Sequence, residues 1–279
     1  MQTDEGKTID TSTAASLLER ARSGDDDALE DLLRTVRPQL YRFGMKMCRD
    51  PEDAEEVLQD TMLTLARSFR DFRGASSLST WLYTVTRSFC IKRRRKSKFA
   101  PSHEEPFEEL DEGDSGLHSG RPDPHSEVES RELWRQVQDA ISRLEPEKRE
   151  VLLLRDVEGL SAKEVAEVVD ISVAAVKSRL HRARAELRAL LAPNATPTPS
   201  ACPDIRETFS RYLEGELSDD LCTTMQSHVA GCAHCAAECD GLKAALNVCT
   251  TMPCDGPSAS CQNRIDEAVR KVLATLDQD

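Results

Sequence analysis

GLSAKEVAEVVDISVAAVKSRLHRARAELRALL, residues 159–191, decides how the middle of this chain folds. Ser161 with Glu164 three residues on is a capping box that opens a short helix. Val165, Val168 and Val169 give that helix one apolar face. Asp170-Ile171-Ser172 forms a turn and caps a second helix, in which Val176, Leu180, Ala183, Leu187 and Leu190 recur at helical spacing. Lys177, Arg179, Arg182, Arg184 and Arg188 stand between them. Two short helices around a tight turn, the second one basic, are the makings of a helix-turn-helix whose recognition helix enters a major groove. A helical hairpin with a solvated basic face is the plainer alternative.

Working outward, Glu132–Leu144 and Pro146–Val157 supply helices that brace this motif through Leu133, Val137, Ile141, Val151, Leu152 and Leu154. Residues 97–132 hold eleven acidic residues against three basic ones and lose all apolar periodicity, so they read as a flexible linker. Upstream, the signals are helical again. Asp50-Pro51-Glu52-Asp53 is an N-cap followed by Pro and first-turn acids. The helix it opens turns Val57, Leu58, Met62 and Leu65 inward and sets Asp53, Glu56, Gln59 and Asp60 along an outer edge. A further helix carries Trp81, Leu82, Val85 and Phe89, with Trp81 in the core phase, and ends in Lys92-Arg93-Arg94-Arg95-Lys96. Five consecutive basic residues exceed what compensating a helix dipole needs and suit phosphate contacts.

The totals set bounds. The 279 residues allow two or three small domains. A net charge of −13 argues against a general nucleic-acid coat, so charge must act locally. No long apolar run suggests a membrane span, and the acidic N-terminus does not resemble a signal peptide, which gives a cytoplasmic expectation. Eight of the ten cysteines follow residue 200, a clustering that favours metal or thiol chemistry over structural disulfides. The Pro/Thr stretch 193–200 separates them from the rest. His228, Cys232 and Cys235 can converge from one helix edge, and Cys202 can complete a tetrahedral Cys3His zinc set.

Three resemblances follow from these residues. Residues 144–191 resemble the promoter −35-binding region of bacterial extracytoplasmic-function sigma factors, the small initiation subunits of RNA polymerase. DAEEVLQDTMLTLARSFRDFRG with STWLYTVTRSFCIKRRR resembles their polymerase-binding and −10-element region. Cys202…HVAGCAHC with FSRYLEGELSDDLCTTMQSHV between is similar to the zinc-binding anti-sigma domain. The first departs from its family at the turn: Asp170 stands where a Gly often precedes the Ile, and Ala174-Ala175 replace Gly-Thr. Asp tolerates left-handed geometry, so the turn should survive although the Thr contacts do not.

The resemblance implies that Asp53, Glu56, Gln59 and Asp60 contact the polymerase clamp helices. The loop 75–79, with Ser76 and Ser77, would hold a base flipped from the −10 element, supplying what unpairing costs. Arg87, Lys92, Arg93, Arg94 and Arg95 would serve the −10 element. Ser172, Ala175, Lys177, Ser178, Arg179, Arg182 and Arg184 would read the −35 element. The linker, with Glu104, Glu105, Glu108 and Glu109, would lie near the active-site cleft and RNA exit path.

Cys222, Cys239, Cys249, Cys254 and Cys261 are surplus to one zinc site. They could be thiols that eject zinc on forming disulfides, a second site for a soft ion such as copper, cadmium or zinc, or bystanders. A final helix over 265–276 would dock on the sigma domains, and the acidic tail could shield the basic helix or the polymerase-binding edge.

The expected organisation is all-α. It comprises an unstructured 1–13, a first domain 14–97, an acidic linker 98–131, a helix-turn-helix domain 132–192, a spacer 193–200 and a metal-binding domain 201–279. Expected partners are core RNA polymerase, promoter DNA and the chain's own regulatory domain, with no membrane and no reaction catalysed by this chain. A metal- or redox-responsive repressor working without polymerase is the alternative. A zinc hydrolase would need an open coordination position that a closed Cys3His set lacks.

Overall fold

The computed structural model describes residues 11–98, 124–192, 202–251 and 256–276, which form twelve α-helices and no strand among the described residues. The expectations for residues 104–109, for the spacer 193–200, for Cys254 and for the side chain of Cys249 fall outside them.

The first bundle holds α1 (Thr11–Arg22), α2 (Asp26–Cys48), α3 (Pro51–Ser68) and α4 (Leu78–Lys98). Helix α1 begins inside the stretch expected to be unstructured, because Ala14, Leu17 and Leu18 pack into the core. Asp25 caps α2 by accepting from the Ala28 amide at 3.1 Å. Arg49, left-handed at φ 68°, ends α2, and Asp50 at once caps α3 through the Asp53 amide at 2.9 Å. The chain therefore reverses within two residues. Leu29, Leu32, Leu40, Leu58, Met62, Leu65 and Leu82 fill the interior, where Phe43 meets Tyr83 edge to face at 5.3 Å. Trp81 is half-buried against Phe72, a core role as expected.

The second bundle holds α5 (Pro124–Arg143), α6 (Pro146–Leu152), α7 (Ala162–Val169) and α8 (Val173–Leu191). Helix α5 starts at Pro124, ahead of the boundary expected at 132; proline at a first helical position is pre-set for that role. Arg149 is buried in α6 and donates to the carbonyls of Ile141, Ser142 and Leu144 at 3.1, 2.6 and 2.9 Å, closing the end of α5. Burial, then Arg49 and Arg94, lower its pKa to about 10. After α6 the helix widens into a π-helical turn, Leu153–Val157. Its Leu153, Leu154 and Val157 stay buried while Arg155 and Asp156 turn toward α9 and α8, where they meet Glu214 and Arg184.

The caps of the motif are as expected. The Glu164 carboxylate accepts from the Ser161 amide at 2.9 Å while the Ser161 hydroxyl accepts from the Glu164 amide at 3.2 Å. Asp170 takes the left-handed turn at φ 57°, and Ser172 caps α8. Val165, Val168, Val169, Val176, Leu180, Ala183 and Leu187 are all buried between the two helices and their braces.

The last four helices are α9 (Ile205–Leu213), α10 (Asp219–Gly231), α11 (Ala233–Thr251) and α12 (Ala259–Leu276). Their own core is thin: Ile205, Phe209, Met225, Leu242 and Ala245, continuous with that of the second bundle. Helices α9 and α11 pack on α8, and α11 also packs on α5. Helix α12 leaves them and packs on α3 of the first bundle.

A left-handed residue with a Cβ costs roughly 1–2 kcal/mol, which Asp offsets locally and a β-branched residue cannot. Asp170→Gly is therefore expected to hold or raise the unfolding midpoint in denaturant, and Asp170→Ile to lose about 1–2 kcal/mol.

Candidate functional site

The four residues singled out for metal come together. One ligand atom each from Cys202, His228, Cys232 and Cys235 lies within 4.8 Å of every other, the only such group of three or more among the described residues. His228 sits in the last turn of α10, Cys232 at its C-cap, and Cys235 in the first turn of α11. The helix junction thus points three ligands at one place while Cys202 arrives from the chain before α9. Cys202 Sγ is 3.7 Å from Cys232 Sγ, and His228 Nε2 is 3.3 Å from Cys235 Sγ. Tetrahedral zinc with bonds of about 2.3 Å to sulfur and 2.0–2.1 Å to nitrogen sets such edges near 3.8 and 3.6 Å, so the donors fit. Burial and the neighbouring Cys202 and Cys232 sulfurs push the Cys235 thiol up to about 12, whereas the Cys235 amide holds Cys232 below its ordinary value. Cys202, raised by burial, and Cys235 thus favour keeping their protons unless a cation replaces them.

Of the surplus cysteines, the three whose side chains are described, Cys222, Cys239 and Cys261, do not join this set. Cys239 and Cys261 are buried, their thiols raised by burial, and Cys222 is half-buried on α10. Cys261 lies on α12, where its Sγ is 3.9 Å from the Glu55 carbonyl of α3.

On α8 the expected base-reading residues divide. Ser172, Ser178 and Arg182 are exposed, Ala175 is half-exposed, and Arg179 stands 3.9 Å from Glu150. Lys177 is hydrogen-bonded to Glu216. Arg184 is buried, not on the exposed face. Its Nε and Nη2 donate to Asp156 at 2.8 and 2.6 Å, Nη2 also to Glu214 at 2.9 Å, and Nη1 to the hydroxyl and carbonyl of Ser210 at 2.8 and 3.1 Å. Periodicity held a warning, since Arg184 follows Leu180 by four and precedes Leu187 by three, on the inward stripe.

In the first bundle Glu56 and Asp60 are exposed and Asp53 and Gln59 half-exposed along α3. Arg93 reaches back to this edge, pairing with Glu56 and lying 3.6 Å from Asp53. Lys92, Arg94 and Arg95 are exposed. In the serine loop, the Ser77 hydroxyl accepts from the Thr80 amide at 3.1 Å and so caps α4, with Ser76 half-exposed beside it. Arg87 faces the second bundle, donating to both Glu150 oxygens at 2.8 and 3.1 Å.

Sequence reasoning missed the residues that hold the domains together. Tyr83 donates to Glu158 at 2.8 Å in a buried contact between the first two bundles; burial raises the Glu158 pKa. Glu214, in the YLEGEL segment, is buried and accepts from Arg155 at 3.1 Å as well as from Arg184. Gly215 at φ 67° turns the chain so that Glu216 meets Lys177. Arg188 lies 3.3 Å from Glu238 of α11, and a Cβ on Gly241 would come within 2.9 Å of the Arg188 guanidinium carbon. On α12, Asp266 accepts from Arg37 at 2.6 Å, and Glu55 accepts from the Ser258 amide at 2.9 Å and from Arg264 at 3.2 Å. Cys261, Ile265 and Val269 form the buried face of that helix.

Because ligand sulfurs must lose protons to bind, metal affinity should fall as pH falls, and acid should release the ion. Cys202→Ser, Cys232→Ser and Cys235→Ser are each expected to bring bound metal well below one ion per chain at neutral pH, with Cys222→Ser unchanged, as read by a chromogenic chelator.

Three family models match the chain: Sigma-70 region 2 over residues 32–99, Sigma-70, region 4 over residues 134–187, and a zinc-finger family over residues 202–236. The ECF RNA polymerase sigma factor SigM of Mycobacterium tuberculosis is 33% identical over 177 residues, spanning 63% of this chain and 84% of that protein. The ECF RNA polymerase sigma-E factor of Haemophilus influenzae is 32% identical over 181 residues, 62% of this chain and 92% of that protein. Among solved structures, CnrH in complex with the cytosolic domain of CnrY aligns with TM-score 0.48 and 24% identity, over 65% of this chain and 99% of that one. With both sigma regions matched on their own bundles and a relative covered over most of its length, the chain belongs to the ECF sigma factors of RNA polymerase.

Proposed function

We propose that this sigma factor brings core RNA polymerase to promoters and that its C-terminal domain, built around a zinc ion, holds it closed until a signal releases it. Polymerase contacts run along Asp53, Glu56, Gln59 and Asp60. The −10 element is met by Ser76, Ser77, Arg87 and residues 92–95, and the −35 element by Ser172, Ala175, Lys177, Ser178, Arg179 and Arg182. Two modest DNA contacts on one chain suffice, because the second is intramolecular once the first is made. The work belongs in the cytoplasm, where polymerase and promoters are; none of the described helices is long and apolar enough to cross a membrane. Zinc is the ion that a closed Cys3His set of these separations suits best, in a structural role that staples a thin core.

One observation carries the inhibitory reading: the same domain engages both functional faces. Glu216 occupies Lys177 on the recognition helix and Glu214 the buried Arg184 and Arg155 behind it, while α12 lies on α3 next to the acidic edge. Arg264 lines a groove with Glu52, Glu55, Glu56, Gln59 and Asp60, three of them expected polymerase contacts. The pairing of Arg87 with Glu150 adds to the closed state, since it keeps a −10 residue against the second bundle. Polymerase and DNA must therefore displace contacts that the chain makes with itself, at a cost that scales as about 1.4 kcal/mol per tenfold in apparent affinity.

Run-off transcription with core polymerase tests this. Ile265, on the inward face of α12, is wholly buried, and a charge placed there is costly without a partner, so Ile265→Glu in the full chain should undock the helix. Output is expected to rise about tenfold over the parent chain, by the affinity relation above. A drop would mean that the C-terminal domain is required for activity and would overturn the inhibitory reading. Zinc, copper, cadmium and diamide arms on the parent chain name the releasing signal.

A further inference from the structure

Two cysteines lie outside the Cys-rich domain, and the fold puts them together. Cys48 is the last residue of α2 and Cys90 sits mid-way along α4; they are 42 residues apart in sequence, and their Sγ atoms are 3.3 Å apart. This is closer than the 3.7 Å between Cys202 and Cys232 in the metal set. Cys48 is half-buried, whereas Cys90 is buried. The neighbours are functional ones. Arg87, one turn before Cys90, holds Glu150, and Arg93, one turn after, holds Asp53 and Glu56.

We propose that Cys48 and Cys90 are a thiol oxidation site that closes to a disulfide on exposure to a hydroperoxide, independently of the zinc set and of the inhibitory reading above. The Cys48 thiolate attacks the distal oxygen of the hydroperoxide: an S–O bond forms, the O–O bond breaks, and the departing alkoxide takes a proton to leave as an alcohol. The Cys90 sulfur then attacks the Cys48 sulfenic sulfur. An S–S bond forms, the S–O bond breaks, and hydroxide leaves as water with the Cys90 proton. Two electrons pass from the thiols to the hydroperoxide, which is the balance for one disulfide. The order of roles follows access: the half-buried thiol meets the oxidant and the buried one resolves it. The thiol contact with Cys48, then burial, hold Cys90 well above its ordinary pKa, so its proton must pass to the departing hydroxide as the S–S bond forms. The cross-link would fix the crossing of α2 and α4 and the tight reversal at Arg49-Asp50 that sets the start of α3.

The test uses the zinc-loaded full chain treated with graded tert-butyl hydroperoxide, followed by alkylation in denaturant and tryptic mapping without reductant. The expected product joins MCR (residues 47–49) to SFCIK (residues 88–92), at their summed mass less two hydrogens, and dithiothreitol separates it. The oxidised chain should also melt at a higher temperature, a rise that dithiothreitol reverses. In Cys90→Ala, where no disulfide can close, dimedone should trap the Cys48 sulfenic acid and the oxidative rise in melting temperature should vanish. The proposal fails if both thiols still alkylate fully at doses that have oxidised Cys232 or Cys235. It fails equally if Cys48 is found linked to any other cysteine, or if dimedone does not label Cys90→Ala.

Discussion

Arg184 organises the interface between the DNA-reading domain and the domain that follows it. A guanidinium has five N–H groups in a fixed plane and, once buried, needs an acceptor for each. Here all five are met: two by Asp156 from the same domain, and three by Glu214 and Ser210 from the next. Asp156 alone would leave the remaining donors without protein partners, so the C-terminal domain completes a polar cluster that its neighbour only begins. The π-helical turn at Leu153–Val157 makes this geometry available, because it keeps three apolar residues inside while turning Arg155 and Asp156 toward α8 and α9. Glu214 then accepts from Arg155 and Arg184 together, joining both faces of the cluster.

The second anchor is of a different kind. Helix α12 is held to the first bundle by an apolar face, Cys261, Ile265 and Val269, with ion pairs at its rim through Arg37–Asp266 and Arg264–Glu55. Apolar burial supplies most of the hold of such a contact, and rim charges set its register. One domain thus grips its neighbours by a charged cluster at one end and a greasy stripe at the other. Loss or exchange of a metal ion would act at the α9–α11 end, where the Cys3His set lies. The α12 end would follow only through the chain that joins them.

Much of this was legible in the sequence wherever physics acts over a few residues. The capping box at Ser161, the left-handed Asp170, the Asp50 cap and the convergence of His228, Cys232 and Cys235 follow from local spacing, whereas Cys202 was added from well upstream as the fourth ligand of a tetrahedral set, with the resemblance behind it. The docking of the last helix on the sigma domains was foreseen, but the residue pairs that join the domains were not legible. Arg87 with Glu150, Tyr83 with Glu158 and Arg37 with Asp266 join residues far apart in sequence, and no periodicity marks which acid will meet which base. Arg184 was misjudged for a related reason: a basic residue on a basic helix suggests DNA, and only its place on the inward stripe indicated burial. Pro124 was overlooked because the acidic composition around it masked a good first residue for a helix.

Covalent attachment changes what kind of control this is. A separate inhibitor must be made in balance with its target, and the fraction of target bound drifts with the abundance of both. Here Arg37 and Asp266, or Arg184 and Glu214, belong to one polypeptide, so every copy carries its own counterpart and the ratio is one by construction. If the C-terminal domain inhibits, as proposed above, dilution at cell division leaves the closed fraction unchanged. The response is then a property of each molecule and its chemical surroundings, insensitive to noise in expression.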